Sequence, residues 1–241
     1  MYTSYIWMAA LTVISFLIVL LLRNQRTIIA RIGFVSWISL SLYFIFEYIV
    51  IQATTAPYHS LDQPMSDLGV TSCGTNTYPL APYEICSPYH LLMNWTFAVT
   101  GIVIFVGAIA LHQFWPDNKK TSIATVLLVI FGLSYNISGI IPADINFLWH
   151  TLGSMPGMIV QIPALVLISI AIRNEKPSLA IFTCICTVVT TCSLILLFYQ
   201  PPFISLPGGL LQRILYGAVY FWMVITAVVL WRNLNFERSG R

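Results

Sequence analysis

Seven long apolar runs, at 5–22, 32–53, 89–113, 122–141, 147–172, 178–199 and 210–231, decide what this chain can fold into. Each approaches or exceeds the ~20 residues that an α-helix needs to cross about 30 Å of hydrocarbon. The chain is 58% hydrophobic and only 8% charged, against roughly a quarter charged in ordinary globular domains. Folded in water, it would leave large apolar areas exposed, so lipid is the expected solvent. Nearly every residue falls in a span or a short connection. The expected fold is an all-α, seven-transmembrane helical bundle, one membrane domain over residues 1–241 with a long loop, 54–88, capping it.

The basic residues set the expected orientation. Arg23, Arg26 and Arg31 lie around the first connection, Lys119 and Lys120 between runs three and four, and Arg173 and Lys176 between five and six. Arg232, Arg238 and Arg241 follow the last run. With seven spans all of these fall on one face, and only Arg213 falls on the other; six spans would scatter them. Short basic loops stay cytosolic, so the N-terminus is expected outside and the C-terminus inside, in the plasma or inner membrane. Residues 1–8 carry no positive charge, and Arg23 and Arg26 come after the first apolar run. That is the reverse of a cleaved secretory signal, and the run reads as a retained first span.

The loop 54–88 holds Pro57, Pro64, Pro79, Pro82 and Pro88, which exclude a long helix, and Tyr58, Tyr78, Tyr83, Leu61 and Ile85, which favour a folded cap. Cys73 and Cys86 lie in it; they are either two free thiols or a disulfide, and in an oxidising compartment a bridge is expected. Cys184, Cys186 and Cys192 sit within the sixth run as small apolar fillers. Residues 200–209 read as a Pro- and Gly-rich turn along the interface.

Ionisable groups inside spans are costly and point to function by default. Glu47 lies about two turns below the outer end of the second run, on a face shared with Ser36 and Tyr43. At similar depth stand Asp144, His90 and Asn94, Ser134 and Ser138 near Asn136, and Gln212 and Arg213 followed by Tyr216 and Tyr220. Below His150, Ser154, Gly157 and Gln161 continue a polar or small stripe, and Pro156 and Pro163 are expected to interrupt that helix. These groups suggest one outward-facing polar pocket with Glu47 beneath it. The bland alternative is that helix ends are polar and Glu47 is a neutralised structural carboxylate.

Three short stretches carry a resemblance: Ser66-Asp67-Leu68-Gly69; Gly139 with Pro142, Asp144 and His150; and Gly208-Gly209 with Gln212, Arg213, Tyr216 and Trp222. In order and spacing they resemble motifs of the bacterial membrane proteins grouped as domain of unknown function 998, with Gln212 standing where an acid is often found. That family is similar in its outer-loop motif to the eukaryotic Frag/DRAM membrane proteins, some linked to lipid remodelling. The resemblance implies a membrane architecture and no reaction.

Two functional classes compete. In a lipid hydrolase or acyltransferase, His150 would be general base, oriented by Asp144 or Asp67, with Ser154 or Ser66 as nucleophile. Arg213 would hold an anionic head group such as phosphate, or form a partly buried pair with Glu47 or Asp144, with Glu47, Asn94, Gln212 and Tyr216 completing the substrate pocket. A metal variant would draw on His59, His90, His150, Asp67 and Asp144, although no HxxxH or HExxH pair occurs and no metal or other cofactor is expected. Alternatively the pocket binds or transports a lipid or small molecule without chemistry, or the cap meets an assembly partner. The bilayer and a lipid ligand are the expected partners, with no nucleic acid. All three lysines lie on the inner side, so a retinal Schiff base in the last span is excluded.

Overall fold

The computed structural model describes residues 2–199 and 206–239. Among these, seven helices are long and apolar enough to cross a membrane. They are α1 (Tyr2–Leu22), a second span made of α2 (Arg26–Ile38) and α3 (Leu42–Gln52), α4 (His90–Leu111), α5 (Lys119–Ile140), α6 (Phe147–Ile172), α7 (Pro177–Phe198) and α8 (Gly208–Ser239). The expected all-α seven-span bundle is therefore what the chain forms. The helices start earlier than the apolar runs at Arg26 and Lys119, because polar residues extend a helix beyond the hydrocarbon. Asn118 caps α5 by accepting from the amides of Lys120 and Thr121. The turn at 200–209 lies outside the described residues as far as position 205.

Spans two to seven pack each on its neighbour in sequence, and α8 returns to α2, closing a ring; α1 lies outside it against α4 and α5. Aromatic side chains fill the middle of the ring. Trp37 and Trp222 are fully buried with ring centroids 5.5 Å apart, and Tyr43, Tyr135, Tyr216 and Tyr220 cluster above them through edge and stacked contacts. In lipid, apolar burial drives helix association weakly, so close packing must do it. Between α4 and α5 that packing is backbone on backbone: a Cβ at Gly101 would lie 2.4 Å from the amide nitrogen of Asn136 and the carbonyl of Gly132.

The second span changes course at Ser39–Ser41, a single 3-10 turn. Ser39 donates to the Ser36 carbonyl and Ser41 to that of Ile38. Such back-bonding competes with the helix ladder and bends it. The fifth run behaves otherwise than its prolines suggest, since α6 is continuous from Phe147 to Ile172 across Pro156 and Pro163. Ser134 of α5 explains the first of these. Its hydroxyl donates to the carbonyls of Gly153 and Ser154 and accepts from the Gly157 amide. The backbone groups loosened by Pro156 thus find a partner on the next helix.

The cap, 54–88, has its own small core of Val70, Tyr78, Ala81 and Ile85, completed by Ala143 of the α5–α6 connection. Two short antiparallel strands, β1 (Gly74–Thr75) and β2 (Glu84–Ile85), lie between Cys73 and Cys86, which form the expected disulfide.

Candidate functional site

Each family-like stretch of sequence turns out to fasten the cap. At the start of α8, Gly209 lies so close to the loop that a Cβ there would fall 2.3 Å from the Gln63 carbonyl. Only glycine permits that approach. The amides of Gly209 and Leu210, which the helix leaves unpaired, donate to the carbonyls of Asp62 and Leu61. Gln212 Oε1 accepts from the Met65 amide at 2.9 Å. Arg213 Nη1 donates to the carbonyls of Ser60, Gln63 and Gly209, and Nη2 meets the Tyr58 hydroxyl at 2.5 Å and Glu47 Oε1 at 2.9 Å. The two terminal nitrogens of the guanidinium are spent on two cap carbonyls, one carbonyl of α8, one phenol and one buried carboxylate. That leaves it unlike an open phosphate site and like a rivet through three elements.

Asp67 sits in the 3-10 turn Met65–Gly69, 1% exposed. It accepts from the hydroxyls of Tyr78 and Tyr83. Burial pushes its carboxyl up to about 6, against the lowering effect of the two phenol donors and of Arg213. Burial, and then the charge of Asp67, push both phenols up, so they remain donors. Asp144 Oδ2 accepts from the amides and hydroxyls of Thr71 and Ser72, tying the α5–α6 connection to the cap. Asn94 donates to the Gly69 carbonyl and to Tyr5, so it too holds the cap. His90 Nδ1 meets the Ser87 carbonyl.

A pH prediction follows from Asp67. Its pKa is raised in the folded protein relative to the ordinary value of 3.8, so the native state keeps a proton that the unfolded chain releases. Its contribution to stability is full below about pH 3.8 and is lost as pH rises through about 6, by about 2–3 kcal/mol. Hydrogen exchange in residues 65–85 should therefore quicken between pH 4.5 and 7 beyond its intrinsic base catalysis, and Asp67→Asn should flatten the change. An identical profile in the variant would show that Asp67 is not the titrating group.

The expected single pocket of Glu47, Asp67, Asp144, His150 and Arg213 is not what the side chains form. Glu47 and Arg213 form one ion pair, Asp67 and Asp144 are each hydrogen-bonded to groups of the cap, and none of the three carboxylates bonds His150. The imidazole is held instead by the Ile141 carbonyl, 2.7 Å from Nδ1. What does come together is a cavity of about 40 Å³ at the cap end of the ring. His150, Ser154, Gln212 and Tyr216 line it, with Ser66 and Met65 from the cap, Tyr135 and Ser138 from α5 and Phe97 from α4. Ser138 was legible only as a serine on a helical face, and nothing in the sequence singled out Tyr135. The Ile141 carbonyl can only accept, so Nδ1 carries a proton, and in the neutral imidazole Nε2 is then the acceptor. The buried hydroxyls of Tyr135 and Tyr220 have no hydrogen-bond partner at normal distance, and Gln212 keeps its amide nitrogen as a donor. No Asp, Glu, Lys or Arg lines this cavity. Among the described residues no three His, Cys, Asp or Glu side chains gather as metal ligands would.

A family model described as "Protein of unknown function (DUF998)" matches residues 38–229, which run from the bend of the second span to near the end of the last. The motifs that dock the cap and the residues that line the cavity all lie within this stretch, and α1 lies outside it. No curated protein and no solved structure matches the chain.

Proposed function

The chain belongs to the DUF998 family of membrane proteins of unknown function, and from that premise we propose that it binds a small, uncharged, hydrogen-bonding group in the central cavity without turning it over. One observation carries this reading: the cavity gathers neutral donors and acceptors while every nearby charge is spent elsewhere. Polar groups in a membrane interior must be satisfied, and 40 Å³ has room for roughly three waters or a group of like size. A ligand bearing hydroxyls would replace such waters bond for bond. The positioned charge expected of a hydrolase is missing, since His150 leans on a backbone carbonyl and Arg213 has no free donor facing the cavity.

The cavity would open to the extracytoplasmic side. A cysteine at Asn146, introduced as Asn146→Cys, should react with an impermeant reagent added outside intact cells, and one at Asn118 should not. Reaction at Asn118 from outside would invert the orientation.

For the site, Cys184, Cys186 and Cys192 are replaced by alanine and the cysteine of Ser154→Cys is treated with methyl methanethiosulfonate. It should react, and uncharged polyols should slow it several-fold while leaving a lipid-facing control cysteine unaffected. No reaction, or equal slowing at the control, would remove the binding reading. The spacing of His150 and Ser154, one helical turn apart on the same cavity, keeps a hydrolase as the second reading. Release of fatty acid from a monoacyl lipid, abolished by His150→Ala, would favour it.

A further inference from the structure

Below the bend of the second span, α2 is clamped to α4. A Cβ at Gly107 would fall 2.0 Å from the Trp37 ring, and one at Gly33 would fall 2.8 Å from Ala110. Beyond Ser39–Ser41 the two spans part, and a groove of about 280 Å³ opens between α3 and α4. Leu42, Phe46, Val99 and Val103 form its walls, and Tyr43 and Thr100 its floor. Leu42, Phe46 and Val99 are among the exposed apolar side chains of the protein, and the groove lies within two membrane spans. What surrounds it is therefore acyl chain. The hydroxyls of Ser39 and Thr96 at its edges are spent on backbone carbonyls, so it offers an apolar chain little competition from water.

The floor of this groove backs onto residues that line the central cavity. Tyr43 lies in the groove, its hydroxyl 3.0 Å from Met65 Sδ, and its ring centroid stands 6.4 Å from Phe97 and 6.3 Å from Tyr135. Met65, Phe97 and Tyr135 line the cavity. Tyr43 on the groove side and Phe97 on the cavity side separate an acyl-sized groove facing lipid from the polar cavity. The Tyr43 contact to a thioether sulfur is a weak one, but its ring also packs on Phe44, Phe97, Tyr135 and Tyr220, so passage into the cavity is a gated step in which Tyr43 leaves those contacts.

We propose that the ligand is an amphiphile of the monoacylglycerol class, its acyl chain in the α3–α4 groove and its uncharged hydroxylated head group in the cavity, reached past Tyr43. The inference rests on the binding reading above and adds the ligand's class and its lateral route. An uncharged head group is called for because no ionised side chain lines the cavity to balance a phosphate or an ammonium. A buried unpaired charge is far more costly than a buried hydroxyl with partners.

The test uses the full chain in phosphatidylcholine nanodiscs with a monoacylglycerol carrying a diazirine in its tail. Crosslinks should map to Leu42, Phe46, Val99 and Val103 and be competed by unlabelled 1-monooleoylglycerol. Val99→Trp, which fills the groove from its exposed edge, should cut them about tenfold, which is about 1.4 kcal/mol. The same variant should leave intact the protection of Ser154→Cys by glycerol, which needs the cavity alone. Crosslinks spread evenly over the outer faces of the helices and not competed would mean annular lipid and overturn the inference. Glycerol protection without competed tail crosslinks would overturn it while sparing the cavity reading. Loss of protection by every polyol would remove both. Equal competition by an anionic lysolipid would overturn the uncharged head group.

Discussion

Arg213→Leu should lower the stability of the protein by about 3–5 kcal/mol, the loss typical when one partner of a buried ion pair is removed. The variant leaves Glu47 buried with no counter-charge, and the side chains of both are largely out of solvent, 16% and 7% exposed. It also strips donors from the carbonyls of Ser60, Gln63 and Gly209 and from the Tyr58 hydroxyl. Each unsatisfied buried acceptor adds to the loss. Glu47→Gln should be milder, because the guanidinium keeps its other partners. Arg213→Lys should fall between the two, since a single ammonium cannot reach the loop carbonyls, the phenol and the carboxylate together. The double variant Glu47→Leu with Arg213→Leu should recover only the ion-pair part of the loss and leave the loop undocked. Reversible unfolding in mixed micelles, with hydrogen exchange of the cap as a local readout, gives these differences. A loss under about 1 kcal/mol in Arg213→Leu would mean that water already serves the loop carbonyls, and the rivet would be decorative.

The same residue shows where sequence reasoning stops. Arg213 could be singled out because it is the one basic residue on the cap face, and Glu47 because it is an acid inside a span. That they meet was among the stated options. That the guanidinium would be used up by backbone carbonyls was not, because carbonyls leave no mark in a sequence. Asp144 and Asp67 tell the same story. Both stood out as acids beside His150, yet their partners are the hydroxyls and amides of Thr71 and Ser72 and the phenols of Tyr78 and Tyr83, all from a loop with no periodicity to place them.

The spans, by contrast, were legible because hydropathy over twenty residues averages out local detail. The disulfide was legible because two cysteines shared one loop. Pro156 misled for a specific reason: a proline's effect depends on whether a neighbouring helix can serve the freed groups, and Ser134 does so from another element. The cavity was half legible. His150, Ser154, Gln212 and Tyr216 were named from their helical faces, whereas Tyr135, Ser138 and Met65 join them only through the pairing of α5 with α6 and the fold of the cap.

Replacing Gly101 by alanine should be among the most damaging single-methyl additions in the bundle, while the same change at Gly217 should be close to neutral. At Gly101 the new Cβ would stand 2.4 Å from backbone atoms of α5, and at Gly217 the nearest atom, on the Phe44 ring, is 3.7 Å away. A flexible side chain could yield to such a contact, but two backbones cannot without the helices moving apart. As α4 and α5 separate, the bond from Asn136 to the Ala98 carbonyl and the bond from Thr12 to Asn136 lengthen. So does the contact at Gly139, where a Cβ would meet the Asn94 carbonyl at 2.3 Å. Overpacking a tight site costs about 1–3 kcal/mol, and the hydrogen bonds lost beside it add to that, so Gly101→Ala should lose about 3 kcal/mol or more. Gly217→Ala gains helix propensity of about 1 kcal/mol at most. Because Phe97 on α4 and Tyr135 and Ser138 on α5 line the cavity, Gly101→Ala should also change the reaction rate of Ser154→Cys, and Gly217→Ala should not. Thermal unfolding in nanodiscs, with that labelling rate measured alongside, separates the two. Equal midpoints for Gly101→Ala and Gly217→Ala would mean that α4 and α5 are not held at backbone contact, and the alignment that shapes the cavity would then need another cause.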